Sequence, residues 1–474
     1  MKRLFCILII TVLACRLHAQ LSESVTWSKL NSHTATLPII GQLKTTPSNG
    51  TGNSYWSIGC ETLDRDYSDF ARYRSYLKDL GVGYARIQSG WAKTEKVRGQ
   101  YDFKWLDDIV DGLLEEGLKP WICLCYGNPL YASGTDLNAR IFTDKATMTA
   151  WCKYVRATVK RYKGKVTMYE VWNEPDGGKG INPPENYGDL FVETGKAIRQ
   201  EDKTALIAGF GICSPARTEY VKKAMERIQT HGGIQYLDKV TFHAYWANPD
   251  DVTPSILNLR QLLRSYSPRI ELLQGESGCP SQLEFGHALK NREWTEYQQV
   301  KWDLRRMAND FKLGIPSSVF TFADLNYGWM LQSFGMIRMN LRNEPIYKRP
   351  SYHGVQHMAS IFTTDITPDN DIKVESQCGK TINSVGLRKN GKTIGYMLWF
   401  CDDVPDASLE REEVSVIIKG ANIHNIAYVD MVTGKVHDMS SLVVGQFPDN
   451  AMKLTNIPLW DAPVLIIEKN QINY

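Results

Sequence analysis

A (β/α)8 barrel followed by a small all-β domain is the fold the sequence predicts. Three observations predict it. From about residue 50, strand-like runs alternate with amphipathic helical patterns for about 300 residues. The strand-like runs are mostly continuous apolar stretches, as strands covered by helices on both faces must be. Beyond residue 363 the helical patterns stop, and short strands with turn signals take over.

The elements follow in order. Residues 1–19 read as an export signal, with Lys2-Arg3 ahead of an apolar stretch from Leu4 to Ala14 that is too short to span a bilayer. Two endings compete. Leu17-His18-Ala19 precedes a cut before Gln20, whereas Val12-Leu13-Ala14-Cys15 has the form of a lipobox, which makes Cys15 a possible lipid anchor. Either ending implies an exported bacterial protein, in the periplasm or tethered at the outer membrane. In residues 20–50, Val25–Leu30 and Thr36–Ile40 read as short strands. They cannot form a sheet alone and are expected to pair into the C-terminal domain.

Residues 51–363 are the barrel. Its strands read as Ser57–Cys60, Tyr84–Ile87, Pro120–Cys125, Val166–Trp172, Ala205–Gly209, Val240–Tyr245, Ile270–Gln274 and Val319–Phe322. Its helices read as Asp66–Leu80, Phe103–Leu118, Asp144–Tyr162, Pro184–Glu201, Thr218–Thr230, Ser255–Tyr266, Glu293–Leu313 and Ser351–Ile361. Leu106, Ile109, Val110, Leu113 and Leu114 show the apolar stripe. Gly81, Gly117, Gly164 and Gly314 mark helix ends. A doubly wound sheet would need a Gly-rich phosphate loop after an early strand, and none is visible. Residues 364–474 read as a β-sandwich, with Asn390-Gly391 turning a hairpin between Ile382–Leu387 and Thr393–Phe400.

Composition narrows the function. A net charge of +3, with acids and bases interspersed, excludes a nucleic-acid or polybasic membrane surface. The chain holds 13 Trp and 23 Tyr, enough to supply both a core and flat platforms for sugar rings. Of 10 Cys, Cys6 and Cys15 lie in the leader; the rest lack the paired spacing of a metal site. They read as small buried apolar residues, with one or two disulfides left open.

In a barrel of this kind the C-terminal ends of the strands carry the chemistry. That rule collects Glu61; Arg86, Gln88 and Trp91; Tyr126 and Asn128; Asn173 and Glu174; His243, Tyr245 and Trp246; Glu276; and Asp324, Asn326, Tyr327 and Trp329. Glu174 stands at the end of the fourth strand, just before Pro175, which cannot continue a central ladder. Glu276 stands at the end of the seventh. Two carboxylates facing each other across the mouth suit glycosidic cleavage: one protonates the leaving oxygen, the other meets the developing oxocarbenium carbon. Asn173 suits the sugar 2-hydroxyl, and Tyr245 suits orienting Glu276. Arg86, His243, Asn128, Trp91, Trp246 and Trp329 complete the expected substrate-binding set. Glu170 points into the barrel and needs a partner, for which Arg86 is the candidate.

Trp172-Asn173-Glu174-Pro175 and Gly275-Glu276-Ser277 resemble the glycoside hydrolases of clan A. The wider pattern is similar to family 39 and its relatives, over roughly residues 55–330. It is carried by Gly99-Gln100-Tyr101-Asp102-Phe103, Gly127-Asn128-Pro129-Leu130-Tyr131, Tyr169 to Pro175, and Phe242-His243-Ala244-Tyr245. The resemblance implies a retaining glycosidase acting on a carbohydrate, with Glu174 as acid/base and Glu276 as nucleophile, and without metal or organic cofactor. The rival readings are a carbohydrate-binding protein on a decayed barrel, and a transglycosidase using the same residues.

Overall fold

The structure is a computed structural model that describes residues 21–474, apart from 51, 53, 132–133, 178–180, 421–422 and 448–450. The stretch expected to be a leader, with Cys15, lies outside the described residues.

Eight parallel strands close into a barrel: β1 (Trp56–Gly59), β2 (Tyr84–Gln88), β3 (Lys119–Leu124), β4 (Met168–Val171), β5 (Leu206–Ile212), β6 (Lys239–His243), β7 (Glu271–Ser277) and β8 (Ser317–Val319). Strand β8 closes the ring by bonding both β1 and β7. Most strand residues are buried, which explains the continuous apolar runs. Most helices fall within a few residues of their sequence-predicted bounds; Pro184–Glu201 and Thr218–Thr230 match them.

Two expectations fail. The stretch Asp66–Leu80, expected to be one helix, is broken into Phe70–Tyr73, Arg74–Tyr76 and Lys78–Leu80, with a separate short turn at Leu63–Arg65 before it. Asp66 is left-handed at φ 59, and the Asp69 side chain accepts from Ala71 N–H, capping a fresh turn. Short polar side chains here compete with helix bonding. Val25–Leu30, expected to be a strand, lies in the helix Val25–Ser32. Ser24 caps it by accepting from Trp27 N–H at 2.9 Å, and the buried residues Trp27 and Leu30 are three apart, a helical period.

The strand expected at Thr36–Ile40 forms at Ile39–Gln42 and pairs antiparallel with Lys435–Asp438, at the edge of a seven-stranded sheet. A four-stranded sheet accompanies it, and both are antiparallel. Asn390 and Gly391, both at positive φ, turn the predicted hairpin. The barrel meets these sheets through buried polar contacts. Arg305 pairs with Asp250 at 2.6 Å, and Asp250 accepts from Trp399 and Asn383 of the sheet. All eight cysteines among the described residues are free, so no disulfide forms among them.

Candidate active site

The β4 strand ends at Val171, and the chain then turns sharply. Trp172 (φ 67) and Glu174 (φ 47) both take left-handed backbone, which costs energy for residues with a Cβ. Glu174 N–H donates to Gly211 O at 2.9 Å, pinning the turn to the end of β5. Trp172 packs into a buried cluster with Tyr126, Phe142 and Trp151. Asn173 and Glu174 line a cavity of about 750 Å3 at the mouth of the barrel.

Glu276 reaches the same cavity from β7. The pairing of β6 with β7 shifts between Phe242 opposite Gln274 and His243 opposite Glu276, so the strand carries an irregularity at Gly275. Such bulges re-aim side chains beside active sites. Tyr245 Oη donates to Glu276 Oε1 at 2.7 Å, and Arg86 Nη1 donates to Oε2 at 2.8 Å. Burial pushes the Glu276 carboxyl upward. His243, Arg86 and the two hydrogen bonds outweigh it and hold the group below its ordinary value.

Arg86 is wholly buried and serves three carboxylates. It reaches Glu170 at 2.6 Å, Glu61 at 3.2 Å and Glu276 at 2.8 Å. Its Nη2 also donates to Asn173 Oδ1 at 2.7 Å, and Asn173 Nδ2 donates to Tyr126 Oη at 2.8 Å, which fixes the amide. One cation does not fully charge-balance three acids. Burial, with repulsion from Glu276, pushes the Glu61 carboxyl up to about 7, against the opposing pull of Arg86. The predicted Arg86–Glu170 pair is therefore present.

His243, also wholly buried, lies between the two expected catalytic carboxylates. Its Nδ1 is 2.7 Å from Glu174 Oε1 and 3.7 Å from Glu276 Oε1. Burial lowers the imidazole, but Glu276 and Glu174 outweigh it and raise it. Oxygens of Glu174 and Glu276 and a nitrogen of His243 all lie within 4.8 Å of one another. Two carboxylates and an imidazole are donors a divalent ion would accept. The fixed guanidinium of Arg86 on Glu276 opposes such an ion and suits proton transfer instead.

The structure gathers Asn173, Glu174, Tyr245, Glu276 and Trp329 around one cavity, with Trp329 two-thirds exposed at 67%. Arg86 and His243 sit beneath, touching the carboxylates rather than the cavity. Three expected sugar contacts are corrected. Trp91 is buried among Tyr131, Phe142, Trp151 and Tyr154, and its Nε1 donates to Glu95. Asn128 is spent tying its loop to the one after β2, donating to Glu95 O and accepting from Leu130 N–H. Trp246 is half-buried, does not line the cavity, and accepts from Trp302 through its backbone. A tryptophan near a strand end carries no local mark that separates a packed ring from a sugar platform.

Sequence reasoning missed Arg65, Tyr67, His287 and Gln332 in the cavity wall. Tyr67 falls where a helix is expected and Arg65 stands just before its start, so neither reads as a loop residue of the mouth. Their signal was available in Asp64 and Asp66, short acids that favour turns. His287 and Gln332 lie on long excursions after β7 and β8, where no local pattern points inward.

Residues 53–271 match glycosyl hydrolases family 39. A beta-xylosidase from Caldicellulosiruptor saccharolyticus is 23% identical over 429 residues, covering 81% of this chain and 83% of that one. Among solved structures, a family 39 glycoside hydrolase from the gut symbiont Bacteroides cellulosilyticus WH2 is similar in fold. Its TM-score is 0.64 at 16% identity, over 90% of this chain and 83% of that one. A monomeric beta-xylosidase from Caulobacter crescentus CB15 gives a TM-score of 0.56 at 16% identity, over 90% and 98%. A closed parallel barrel, carboxylates at the ends of β4 and β7, and this family match lead to one statement: the chain is a retaining glycoside hydrolase of the clan A type, related to family 39.

Proposed function

We propose that Glu174 is the acid/base and Glu276 the nucleophile of a double displacement that cleaves glycosidic bonds of a glycan or oligosaccharide. The observation that carries this reading is that one oxygen of each carboxylate lies within 4.8 Å of one oxygen of the other, with His243 between them. Retaining glycosidases need carboxyl groups roughly 5–5.5 Å apart, whereas inverting ones leave room for a water at roughly 6.5–9.5 Å.

In the first step a Glu276 oxygen attacks the anomeric carbon. The bond to the leaving oxygen breaks, and that oxygen takes the proton from Glu174. A glycosyl ester on Glu276 results. In the second step Glu174, now a carboxylate, takes a proton from water. The water oxygen bonds the anomeric carbon as the ester bond breaks. Tyr245 and Arg86 hold Glu276 in its charged form, and Asn173, fixed by Arg86 and Tyr126, is placed for the sugar 2-hydroxyl. The beta-xylosidase relatives favour substrates of the xyloside type. The Lys2-Arg3 and Leu4–Ala14 leader favours action outside the cytoplasm, with tethering at Cys15 as one form of it.

The test is hydrolysis and binding by Glu174→Gln and Glu276→Ala with aryl glycosides and xylo-oligosaccharides. Binding persists and cleavage is lost if the assignment holds; cleavage at the wild-type rate by either variant removes it.

A further inference from the structure

The end of β5 is bent toward Glu174. The pairing of β5 with β6 shifts between Gly209 and Ile212, and Phe210 (φ 81) and Gly211 (φ 50) take left-handed backbone there. That conformation costs energy at Phe210, and such a bulge re-aims the side chains beyond it. The first side chain past the strand is Cys213, half-buried and lining the cavity.

The surroundings of Cys213 all hold Glu174. Gly211 O, two residues before the cysteine, accepts from Glu174 N–H at 2.9 Å, and Glu174 O accepts from Gly177 N–H at 2.9 Å. Gly177 also leaves room for the sulfur: a Cβ there would lie 2.5 Å from Cys213 Sγ and 3.2 Å from Glu174 Cβ. Two carboxylates are within hydrogen-bonding reach of that sulfur, Glu174 and Asp176. Asp176 is 1% exposed, and its Oδ1 accepts from Cys213 N–H at 3.0 Å. From β6, His243 Nδ1 takes Glu174 Oε1 at 2.7 Å. Burial, with Glu174 and Asp176 beside it, pushes the thiol well up, so the sulfur keeps its proton and serves as a donor.

One S–H has one proton to donate and here faces two acceptors. A carboxylate accepts far more strongly than a neutral carboxyl. While Glu174 carries its proton, Asp176 is the better partner. As Glu174 gives that proton to the leaving oxygen, negative charge grows on its carboxyl and the preference reverses. A donor that meets charge only as it develops stabilises the transition state more than the ground state. The thiol proton stays on sulfur throughout.

Resting on the catalytic reading above, we infer that Cys213 is a positioning residue for Glu174. Its S–H rests on Asp176 and turns to the Glu174 carboxyl as that group protonates the leaving oxygen.

The experiment takes the sugar cleaved fastest in a panel of 4-nitrophenyl pentosides and hexosides and measures kcat/KM on its methyl and 2,4-dinitrophenyl glycosides. The first leaving group needs a proton and the second does not. Cys213→Ala should lose about 3- to 10-fold on the methyl glycoside, the worth of one weak hydrogen bond, and keep the wild-type value on the dinitrophenyl glycoside. Cys213→Ser keeps a donor at the same place and should recover most of the loss. A residue that only shapes the cavity would lower both glycosides alike. Equal losses on the two leaving groups, no loss on either, or a serine variant as slow as the alanine one overturns the inference. Glu174→Ala run beside them separates the two levels. If its own loss is the same on both leaving groups, the catalytic reading fails. If Glu174→Ala depends on the leaving group and Cys213→Ala does not, only this inference fails.

Discussion

The ends of β4 and β7 both deliver a glutamate to one cavity, yet they hold it differently. Glu276 is gripped at both oxygens, by Tyr245 and Arg86. Glu174 has His243 on one oxygen and sits on strained backbone anchored to Gly211. The lesson is that the proposed nucleophile is held by a fixed cation and a phenol, and the proposed acid/base by a softer set of partners. Cation and phenol donors favour a persistent carboxylate. Glu174 instead meets the His243 imidazole and the Cys213 side chain, with no guanidinium on it.

The sharpest way to break this contrast is at Glu276. Glu276→Ala should lower kcat by about 10,000-fold or more, since an enzyme's nucleophile acts as part of a unit. Added azide should restore turnover with a product of inverted configuration, read by proton NMR; a retained product would move the nucleophile elsewhere. At Glu174 the effect should depend on the leaving group. Glu174→Ala should cost about 100- to 10,000-fold on an unactivated glycoside and far less on a 2,4-dinitrophenyl glycoside that needs no proton. Equal losses on both would deny Glu174 the acid role.

Arg86→Met removes the common cation. It strands Glu170, Glu61 and Glu276 and should destabilise by about 3–5 kcal/mol, measured by chemical denaturation. Tyr245→Phe takes away one hydrogen bond to a charged group and should lower kcat/KM by about 10- to 100-fold, with the folded state little affected. The smallest expected effect is at Glu61, whose folded carboxyl titrates near 7 against an ordinary 4.5. Between those values the folded protein binds the extra proton. Its contribution is therefore complete below pH 4.5 and fades as pH rises to 7. The fall in Tm from pH 5 to pH 7 should be shallower in Glu61→Gln than in wild type; parallel curves would mean that Glu61 does not titrate there.

The barrel was legible because its code is periodic: buried strands and amphipathic helices repeat with glycine stops. The pair of glutamates facing one cavity was legible once the strands were counted, because strand ends are mounting points. What stayed hidden was decided by three-dimensional neighbours. Trp91 and Trp329 each follow a glycine in the sequence, but one is buried among four aromatic rings and the other is largely exposed beside His287 and Tyr327. Val25–Leu30 is rich in Val, Thr and Trp, which favour strands, yet Ser24 and the three-residue spacing of Trp27 and Leu30 decide for helix. Arg65 was lost because the run after it looks helical, while Asp66 and Asp69 break it.

The strand Ile39–Gln42 is laid against Lys435–Asp438, close to 400 residues later in the chain. A ribosome releases the first long before it makes the second. The early strand must therefore wait, unpaired, through the whole synthesis of the barrel. The sheet edge is thus among the late seams to close. Cutting the chain after residue 363 would free not one domain but a barrel trailing an orphaned strand.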